Sequence, residues 1–201
     1  ARTQVMNTTS DLTNDAIARQ IADGIIQYDR IVYFEKDLEG KKVLVEFVSA
    51  NPTGPMHIGN ARGGALGDCL AAVMSAAGYY TEREFYINDA GNQINKFGLS
   101  LDLRYLQLYK DGIEMPEDSY HGEDIINHAK AFAEIHGDSF VEKSEADRRK
   151  ALVEFALPKN IEGLKTDLEK YRITYNTWFK ESTLHNNGEA SRIIELLKES
   201  G

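Results

Sequence analysis

The sequence contains the apolar run Val43-Leu44-Val45-Glu46-Phe47-Val48, which is followed directly by Ser49-Ala50-Asn51-Pro52-Thr53-Gly54-Pro55. A short run rich in β-branched residues is typical of a buried parallel strand. The second stretch holds two prolines and a glycine, which neither a helix nor a strand tolerates. These residues therefore predict a strand that ends in a turn at its carboxyl edge.

Downstream of this turn, the apolar pattern predicts a helix, a second strand over 81–87 and another helix. The first helix should pack on a sheet through one apolar stripe and end at Gly78, and the second should end at Gly112. The first stripe consists of Leu66, Cys69, Leu70, Val73, Met74 and Ala77, and the second helix presents Ile94, Phe97, Leu101, Tyr105 and Leu108. Strand, turn, helix and strand form a right-handed βαβ unit. We therefore predict an α/β, partial Rossmann-like nucleotide-binding fold.

Beyond Gly112 the pattern is helical and polar. Helices are predicted over 123–136 and from Ser144, where Asp147 gives a start that resembles a capping box. Pro158 should break or kink the second of these helices. The remaining predicted elements are a strand over 173–178 and a short helix over 189–199.

Four regions follow from this pattern. They are an N-terminal segment with one helix at 1–40, the first half of the Rossmann-like domain at 41–110, a mainly helical insertion at 111–171, and a truncated return toward the Rossmann-like domain at 172–201. Two or three strands do not complete a doubly wound sheet, so we expect the remaining strands to lie outside this chain.

The composition is that of an ordinary globular domain. The 201 residues include 23 Lys and Arg against 32 Asp and Glu, which gives a formal net charge of -9, and 42% are hydrophobic. An acidic chain is unsuited to coating nucleic acid, because duplex binding requires clustered cations. The one basic cluster, Arg148-Arg149-Lys150 with Lys143, is flanked by acids, which favours a solvated helix face over a contact with nucleic-acid phosphates.

Cysteine content and hydropathy predict a cytoplasmic chain. Cys69 is the only cysteine, so no internal disulfide is possible, and a reducing compartment fits best. No apolar run approaches the roughly 20 residues that span a bilayer, and the first residues lack the apolar stretch of a secretory signal. We expect no membrane association.

The clearest chemistry lies in the signature block, residues 50–64, between the first strand and its helix. Its glycines let a polyanion approach backbone N–H groups and the positive end of the helix dipole. His57 and Asn60 add two side-chain donors, and the combination suits a triphosphate. The glycines are Gly59, Gly63 and Gly64. The alternative is a closely packed turn with a surface histidine, since the string matches neither a P-loop nor a dinucleotide fingerprint.

Glu46 is the unusual residue of the first strand. An ionised carboxylate in a buried apolar strand costs several kcal/mol unless it is paired. A guanidinium offers a planar fork that matches a carboxylate, so Glu46 could hold a ligand with an arginine-like head. The alternative places Glu46 on a solvated face or against a structural lysine.

A second polar group follows the second strand, at the same predicted edge of the sheet. Four side chains converge there, which is more than one helix N-cap requires. They are Asn88, Asp89, Asn92 and Gln93. A role of Asp89 as a simple helix cap stays open.

The signature block resembles the His-Ile-Gly-His motif of class I aminoacyl-tRNA synthetases. The longer string 45–64, together with 88–94, is similar to arginyl-tRNA synthetases, and so are 120–125 and 177–185. The resemblance covers about 40 to 200, whereas the first 40 residues match the family's N-terminal tRNA-contacting domain poorly. The two motif blocks together are very specific, and either block alone is less so.

The resemblance implies an enzyme that activates arginine with ATP and Mg²⁺ to arginyl-adenylate and then transfers arginine to tRNA(Arg). Carried over to this chain, it assigns ATP binding to Pro55, His57, Gly59 and Asn60. His57 and Asn60 become the catalytic residues, which stabilise negative charge on the α-phosphate. The arginine-binding residues become Glu46, Ser49, Asn51, Asn88, Asp89 and Gln93. Mg²⁺ would arrive with ATP, and we expect a monomer.

The chain departs from the family pattern in two respects. Asn60 stands where the family has its second signature histidine. It can donate a hydrogen bond but cannot carry a proton charge, so we expect slower adenylation rather than none. No counterpart of the family's lysine loop or anticodon-binding domain precedes Gly201. We therefore expect a fragment that binds ATP and arginine weakly and does not charge tRNA alone.

Two other functions stay open. A related nucleotidyltransferase for another small carboxylate would share the His57 block without needing Glu46. A non-catalytic interaction module derived from a synthetase would explain the missing lysine loop. We expect no metal site made by side chains, because the later histidines lack ligand spacing; these are His121, His128, His136 and His185.

Overall fold

A computed structural model describes residues 40–200. The predicted N-terminal segment 1–40 lies outside the described residues, except for Gly40. Three strands form one sheet in the order β1–β2–β3. The strands are β1 (Lys42–Glu46), β2 (Tyr80–Ile87) and β3 (Thr177–Lys180), and the helices are α1 (Ile58–Ala76), α2 (Gly91–Leu106), α3 (Glu123–His136), α4 (Glu145–Lys170), α5 (Ser182–Asn186) and α6 (Glu189–Ser200).

The sheet is parallel throughout. The Tyr80 N–H donates to the Lys41 carbonyl (2.8 Å) and the Phe47 N–H donates to the Glu84 carbonyl (3.2 Å), so β1 and β2 run in the same direction. The register of β2 with β3 runs from Glu84↔Thr177 to Ile87↔Lys180. This architecture confirms the predicted α/β class, although β3 lies later than the predicted strand 173–178.

The chain divides into two compact units. Within the described residues, the smaller unit consists of 40–43 and 70–81, and the larger consists of 44–69 and 82–200. In the smaller unit the Gly40 N–H donates to the Gly78 carbonyl (3.3 Å). All predicted site residues belong to the larger unit.

Helix α1 contacts the sheet through small residues and not through the predicted apolar stripe. Gly64 and Gly67 are buried, and a Cβ on Gly67 would collide with the Phe47 side chain. Leu66 is 72% exposed and Val73 is 63% exposed. The predicted packing face was wrong because the helix approaches the strand so closely that only glycine fits, and the larger side chains therefore lie on the opposite face.

Helices α2, α3 and α4 pack into the helical cluster. Its buried core consists of Phe97, Leu101, Tyr105, Ile125, Ala129, Phe132, Leu152 and Ala156. The bounds of α3 match the prediction, and the Asp147 N–H donates to Ser144 Oγ (3.1 Å) at the predicted start of α4. Helix α4 continues through Pro158 without a break, because residues on both sides of the proline, Ala156 and Leu164, are buried and their packing outweighs the lost hydrogen bond. No helix in the described range is both long and apolar enough to cross a membrane.

A buried carboxylate joins α2 to α4. The Asp102 side chain is 2% exposed, and its oxygens accept hydrogen bonds from Arg148 Nε, from Arg148 Nη2 (3.3 Å) and from Arg149 Nε (3.3 Å). Arg148 also donates to the Lys143 carbonyl (2.9 Å). The prediction of a solvated basic face was therefore wrong for Arg148, because the acid that pairs with it comes from another helix and not from its sequence neighbours.

Candidate functional site

A pocket of about 530 Å³ lies between the loop that follows β1 and the start of α3. One wall is formed by Val48, Ser49 and the signature block, and the other by the segment that enters α3. Its lining residues are Val48, Ser49, Ala50, Asn51, Thr53, Gly54, Pro55, His57, Asn60, Tyr120, Gly122, Asp124 and Ile125. The structure therefore brings most of the predicted ATP group together with Ser49 and Asn51 of the predicted arginine group.

The backbone turns sharply where β1 ends. Val48 and Ser49 have positive φ values of 67° and 41°, a conformation that is costly for a β-branched residue. At this turn the backbone leaves the hydrogen-bond ladder between β1 and β2. The Ser49 hydroxyl accepts the Tyr86 N–H (3.1 Å) in place of a backbone carbonyl. The same hydroxyl donates to Glu46 Oε1 (2.7 Å). Ser49 thus fixes the orientation of the carboxylate that precedes the pocket.

His57 is held by the backbone of its own turn. The Gly59 N–H donates to His57 Nδ1 (3.1 Å), so the neutral ring carries its proton on Nε2, an assignment that follows from this hydrogen bond. A Cβ on Gly59 would lie 3.0 Å from the ring, so a larger residue there would have to displace the His57 ring slightly. The Gly59 amide, which the sequence predicted as part of the ATP group, is therefore occupied by His57.

Asn60 closes the same turn. Its Oδ1 accepts the His57 N–H (3.0 Å), and its own N–H donates to the His57 carbonyl (2.9 Å). This orientation leaves the Asn60 Nδ2 group as a donor at the pocket wall. Two side-chain donors, His57 Nε2 and Asn60 Nδ2, are thus available to an anion.

Glu46 is exposed, which agrees with the alternative of a solvated face and not with a buried, paired carboxylate. Alternation along β1 places its side chain opposite Val45 and Phe47, which are buried. No element within residues 40–200 covers the other face of the strand at Glu46. The carboxylate does not need a buried cation, and within residues 40–200 only its Oε1 atom accepts a hydrogen bond.

Glu84 is the cross-strand neighbour of Glu46. The hydrogen bond between the Phe47 N–H and the Glu84 carbonyl sets the two glutamates side by side. Burial raises the pKa of the Glu84 carboxyl, and the charges of Glu46 and Glu82 raise it further. Like charges therefore face each other on adjacent strands.

The negative potential extends to Tyr86. Burial raises the pKa of its phenol, and the charges of Glu181, Glu46 and Asp89 add to this effect. These carboxylates come from three different segments of the chain. The edge of the sheet beside the pocket therefore suits a cation.

The polar residues after β2 are engaged in tertiary contacts and do not line the pocket. Asp89 accepts both the Ser182 N–H and the Ser182 hydroxyl, each at 2.8 Å. Asn88, with its amide oriented to donate, bonds Glu181 Oε2 (2.7 Å), and Gln93 accepts the Tyr120 hydroxyl. A direct contact of Asn88, Asp89 or Gln93 with arginine stays a prediction.

Two residues of the pocket received no role from the sequence. Asp124 lies in the first turn of α3, and a Cβ on Gly54 would lie 3.4 Å from its Oδ2 atom. Tyr120 lines the pocket and reaches Gln93. Both belong to the stretch 120–125, where only the family resemblance drew attention to them. Among residues 40–200, no three His, Cys, Asp or Glu side chains gather as a metal site requires.

Sequence comparison identifies relatives of one kind. A family model described as "tRNA synthetases class I (R), catalytic domain" matches residues 23–155. The arginine–tRNA ligase of Acetivibrio thermocellus is 57% identical over 180 residues, which is 88% of this chain and 32% of the relative. That of Caldanaerobacter subterraneus is 61% identical over 163 residues, 81% of this chain and 29% of the relative. The chain spans about a third of the length of the curated relatives it matches.

Solved structures give the same result for the fold. A crystal structure named as an arginyl-tRNA synthetase from Campylobacter jejuni matches with a TM-score of 0.66 and 36% identity, over 81% of this chain and 36% of that one. The arginyl-tRNA synthetase of Thermus thermophilus matches with a TM-score of 0.55 over 80% of this chain and 27% of that one. Its 22% identity shows a shared fold alone.

Proposed function

The chain belongs to the catalytic-domain family of class I arginyl-tRNA synthetases, and we propose that it is the ATP- and arginine-binding part of an arginine–tRNA ligase. In the whole protein, arginine reacts with ATP to give arginyl-adenylate and pyrophosphate, and arginine then passes to the 3′ end of tRNA(Arg). One observation carries the proposal: Ser49 lines the pocket and donates to Glu46 (2.7 Å). This bond joins a carboxylate suited to a guanidinium to a pocket suited to phosphates.

The signature block binds ATP in this proposal. His57 Nε2 and Asn60 Nδ2 donate to phosphate oxygens, Pro55 lines the same wall, and Gly59 holds the His57 ring. The arginine carboxylate attacks the α-phosphorus in line and pyrophosphate leaves, so the protein contributes positioning and charge stabilisation rather than proton transfer. Mg²⁺ is held by the ATP phosphates. Asn60 donates without a positive charge, which makes adenylation slower than with a second histidine.

Arginine lies along the end of β1 in this proposal. The open oxygen of Glu46 accepts the guanidinium, and Ser49 holds the other oxygen. Asn51, further along the pocket wall, contacts the amino-acid end near the ATP phosphates. Asn88, Asp89 and Gln93 complete the site from the β2 side. A cytoplasmic location accords with a single cysteine and with an activity that serves translation.

Ligand protection against thermal unfolding tests the proposal on the 201-residue chain. At a hundredfold excess over Kd, a ligand adds about 2.7 kcal/mol, which raises Tm by about 5–10 °C for a chain of this size. We expect ATP to protect, arginine to add further protection, and lysine and citrulline to add less. Citrulline has the shape of arginine without the charge, so it isolates the contribution of the carboxylate.

Two matched variants locate the effect. Glu46→Gln should abolish the increment from arginine and keep that from ATP, whereas Glu82→Gln, which removes the same charge from β2, should keep both. Equal protection by arginine and citrulline would contradict an arginine site and favour a related nucleotidyltransferase. Stabilisation by a protein partner with none by ATP would favour an interaction module. Robust arginine-dependent pyrophosphate exchange by these 201 residues would contradict the expected inactivity of the isolated piece.

A further inference from the structure

A chain of hydrogen bonds connects the helical cluster to the signature block. In α4, Asn160 Nδ2 donates to the Pro52 carbonyl (3.0 Å). In α3, His128 Nε2 lies 2.7 Å from Asn160 Oδ1. The route thus runs from α3 through α4 to a residue that precedes the ATP-binding groups by a few positions.

The chemistry of the three groups fixes their orientation. A carbonyl oxygen only accepts hydrogen bonds, so the Asn160 amide must present its NH₂ group to Pro52. Its Oδ1 atom then faces His128, whose Nε2 must carry the proton that it donates. The Pro52 contact fixes the amide, the His128 contact supports the same orientation, and the reversed amide would place two acceptors against each other at Pro52.

Pro52 depends on this contact. Its side chain is fully buried, and proline has no N–H, so the carbonyl is its only polar backbone group. A buried carbonyl without a partner costs about 1–3 kcal/mol. Asn160 supplies the partner from a helix that begins almost a hundred positions later in the chain.

The turn that contains Pro52 needs such an anchor. Val48 and Ser49 hold positive φ values, and backbone strain of this kind persists only where surrounding contacts over-determine it. The Ser49 hydroxyl anchors the turn upstream through the Tyr86 N–H (3.1 Å). Asn160 anchors it downstream at Pro52, between Asn51 and Thr53, which both line the pocket.

We infer that Asn160 is a positioning residue for adenylation, which acts by holding Pro52 and thereby the signature block, with His128 orienting its amide. The inference rests on the proposed function and extends it to a residue outside the pocket. A displacement of about 1 Å in a reacting geometry can cost about a hundredfold in rate. Loss of the anchor should therefore affect ATP use and not only folding.

The test is arginine-dependent ATP–pyrophosphate exchange, measured with tRNA(Arg) present, by the protein expressed from its complete reading frame. Asn160→Asp places an acceptor against the Pro52 carbonyl, and we expect KM for ATP to rise about tenfold and kcat to fall about tenfold. KM does not depend on the fraction of protein that is folded, so a merely structural role would leave it unchanged. Glu162→Ala, an exposed substitution in the same helix, is the matched control.

A second pair of variants keeps the test decisive if Asn160→Asp does not fold. His128→Gln retains a donor for Asn160 Oδ1 and should keep KM for ATP within about twofold of wild type. His128→Leu removes the donor and should raise KM for ATP about threefold or more. Wild-type exchange with unchanged KM and kcat in Asn160→Asp, or equal behaviour of the two His128 variants, would overturn the inference. Absence of arginine-dependent exchange in the wild type would instead overturn the proposed function.

Discussion

The carboxylates of the helical cluster and of the sheet edge are partnered in opposite ways. Asp102, between α2 and α4, is 2% exposed and is bound by two guanidiniums of the same chain. Glu46 and Glu84 stand side by side on neighbouring strands, and no lysine or arginine of residues 40–200 forms an ion pair with either. The burial and the charges that surround Glu84 raise its pKa.

This difference distinguishes a carboxylate that stabilises the fold, Asp102, from one that the proposed function assigns to a ligand, Glu46. Where the chain supplies the cation, as at Asp102, the carboxylate holds two helices together and has no capacity left for a ligand. Where residues 40–200 supply no cation, as at Glu46, repulsion between neighbouring glutamates is tolerated, and in the proposed function the guanidinium of arginine relieves it. The partner of a carboxylate, rather than its position near a pocket, therefore indicates its role.

Asp102 should show the largest effect. Asp102→Ala leaves the Arg148 charge buried without its partner, and we expect the free energy of unfolding to fall by about 3–5 kcal/mol. Urea denaturation followed by circular dichroism measures this change. The double variant Asp102→Leu with Arg148→Met removes both charges and should recover much of the loss. A decrease below about 1 kcal/mol in Asp102→Ala would show that the pair does not hold the cluster together.

Asp89 sharpens the comparison. Its charge acts on Tyr86 as that of Glu46 does, but its oxygens are hydrogen-bonded within the chain, as those of Asp102 are. Its two oxygens accept from Ser182 at 2.8 Å each. We expect Asp89→Ala to lower the free energy of unfolding by about 1–2 kcal/mol and to leave the Tm increment from arginine unchanged.

Ser182→Ala is the matched control for Asp89. It removes only the hydroxyl and keeps the backbone N–H, so it should cost about half as much. If Asp89→Ala instead abolished protection by arginine and left stability intact, Asp89 would be a direct arginine ligand, as the sequence predicted.

Local patterns predicted most of the fold. The bounds of α3 follow from its apolar spacing between Gly122 and Gly137, and the start of α4 follows from Ser144 and Asp147. The packing face of α1 did not follow, because helical spacing shows that a stripe exists and not which face meets the sheet. Pro158 did not end α4, because burial on both sides of it outweighs one lost hydrogen bond.

The candidate site was only partly predictable. Ser49, Asn51, His57 and Asn60 share one pocket because they belong to one short segment at a strand end. The exposure of Glu46 depends on which elements cover the sheet, and strand alternation alone does not give that. The bond from Asn160 to Pro52 joins residues 108 positions apart, and no local signal in the sequence links them.

Removing the charge of Glu84 should have the smallest effect on stability. It should stabilise the chain, whereas removing the charge of Asp102 should destabilise it. The pKa of Glu84 is raised in the folded state by burial, by Glu46 and by Glu82, so folding favours the protonated form. The stability that this proton contributes is complete below the unfolded pKa of about 4.3 and is lost as pH rises through the folded value. The charges of Glu46 and Glu82 oppose a charge on Glu84, so Glu84→Gln should stabilise the chain at pH 7 by about 0.2–1 kcal/mol. The gain, measured by urea denaturation, should shrink toward pH 4, where the wild-type carboxyl is protonated.

Glu162→Gln, on an exposed helix face, should show no such pH dependence. A loss of stability in Glu84→Gln at pH 7 would mean that a cation of this chain pairs with Glu84, and the contrast with Asp102 would then disappear.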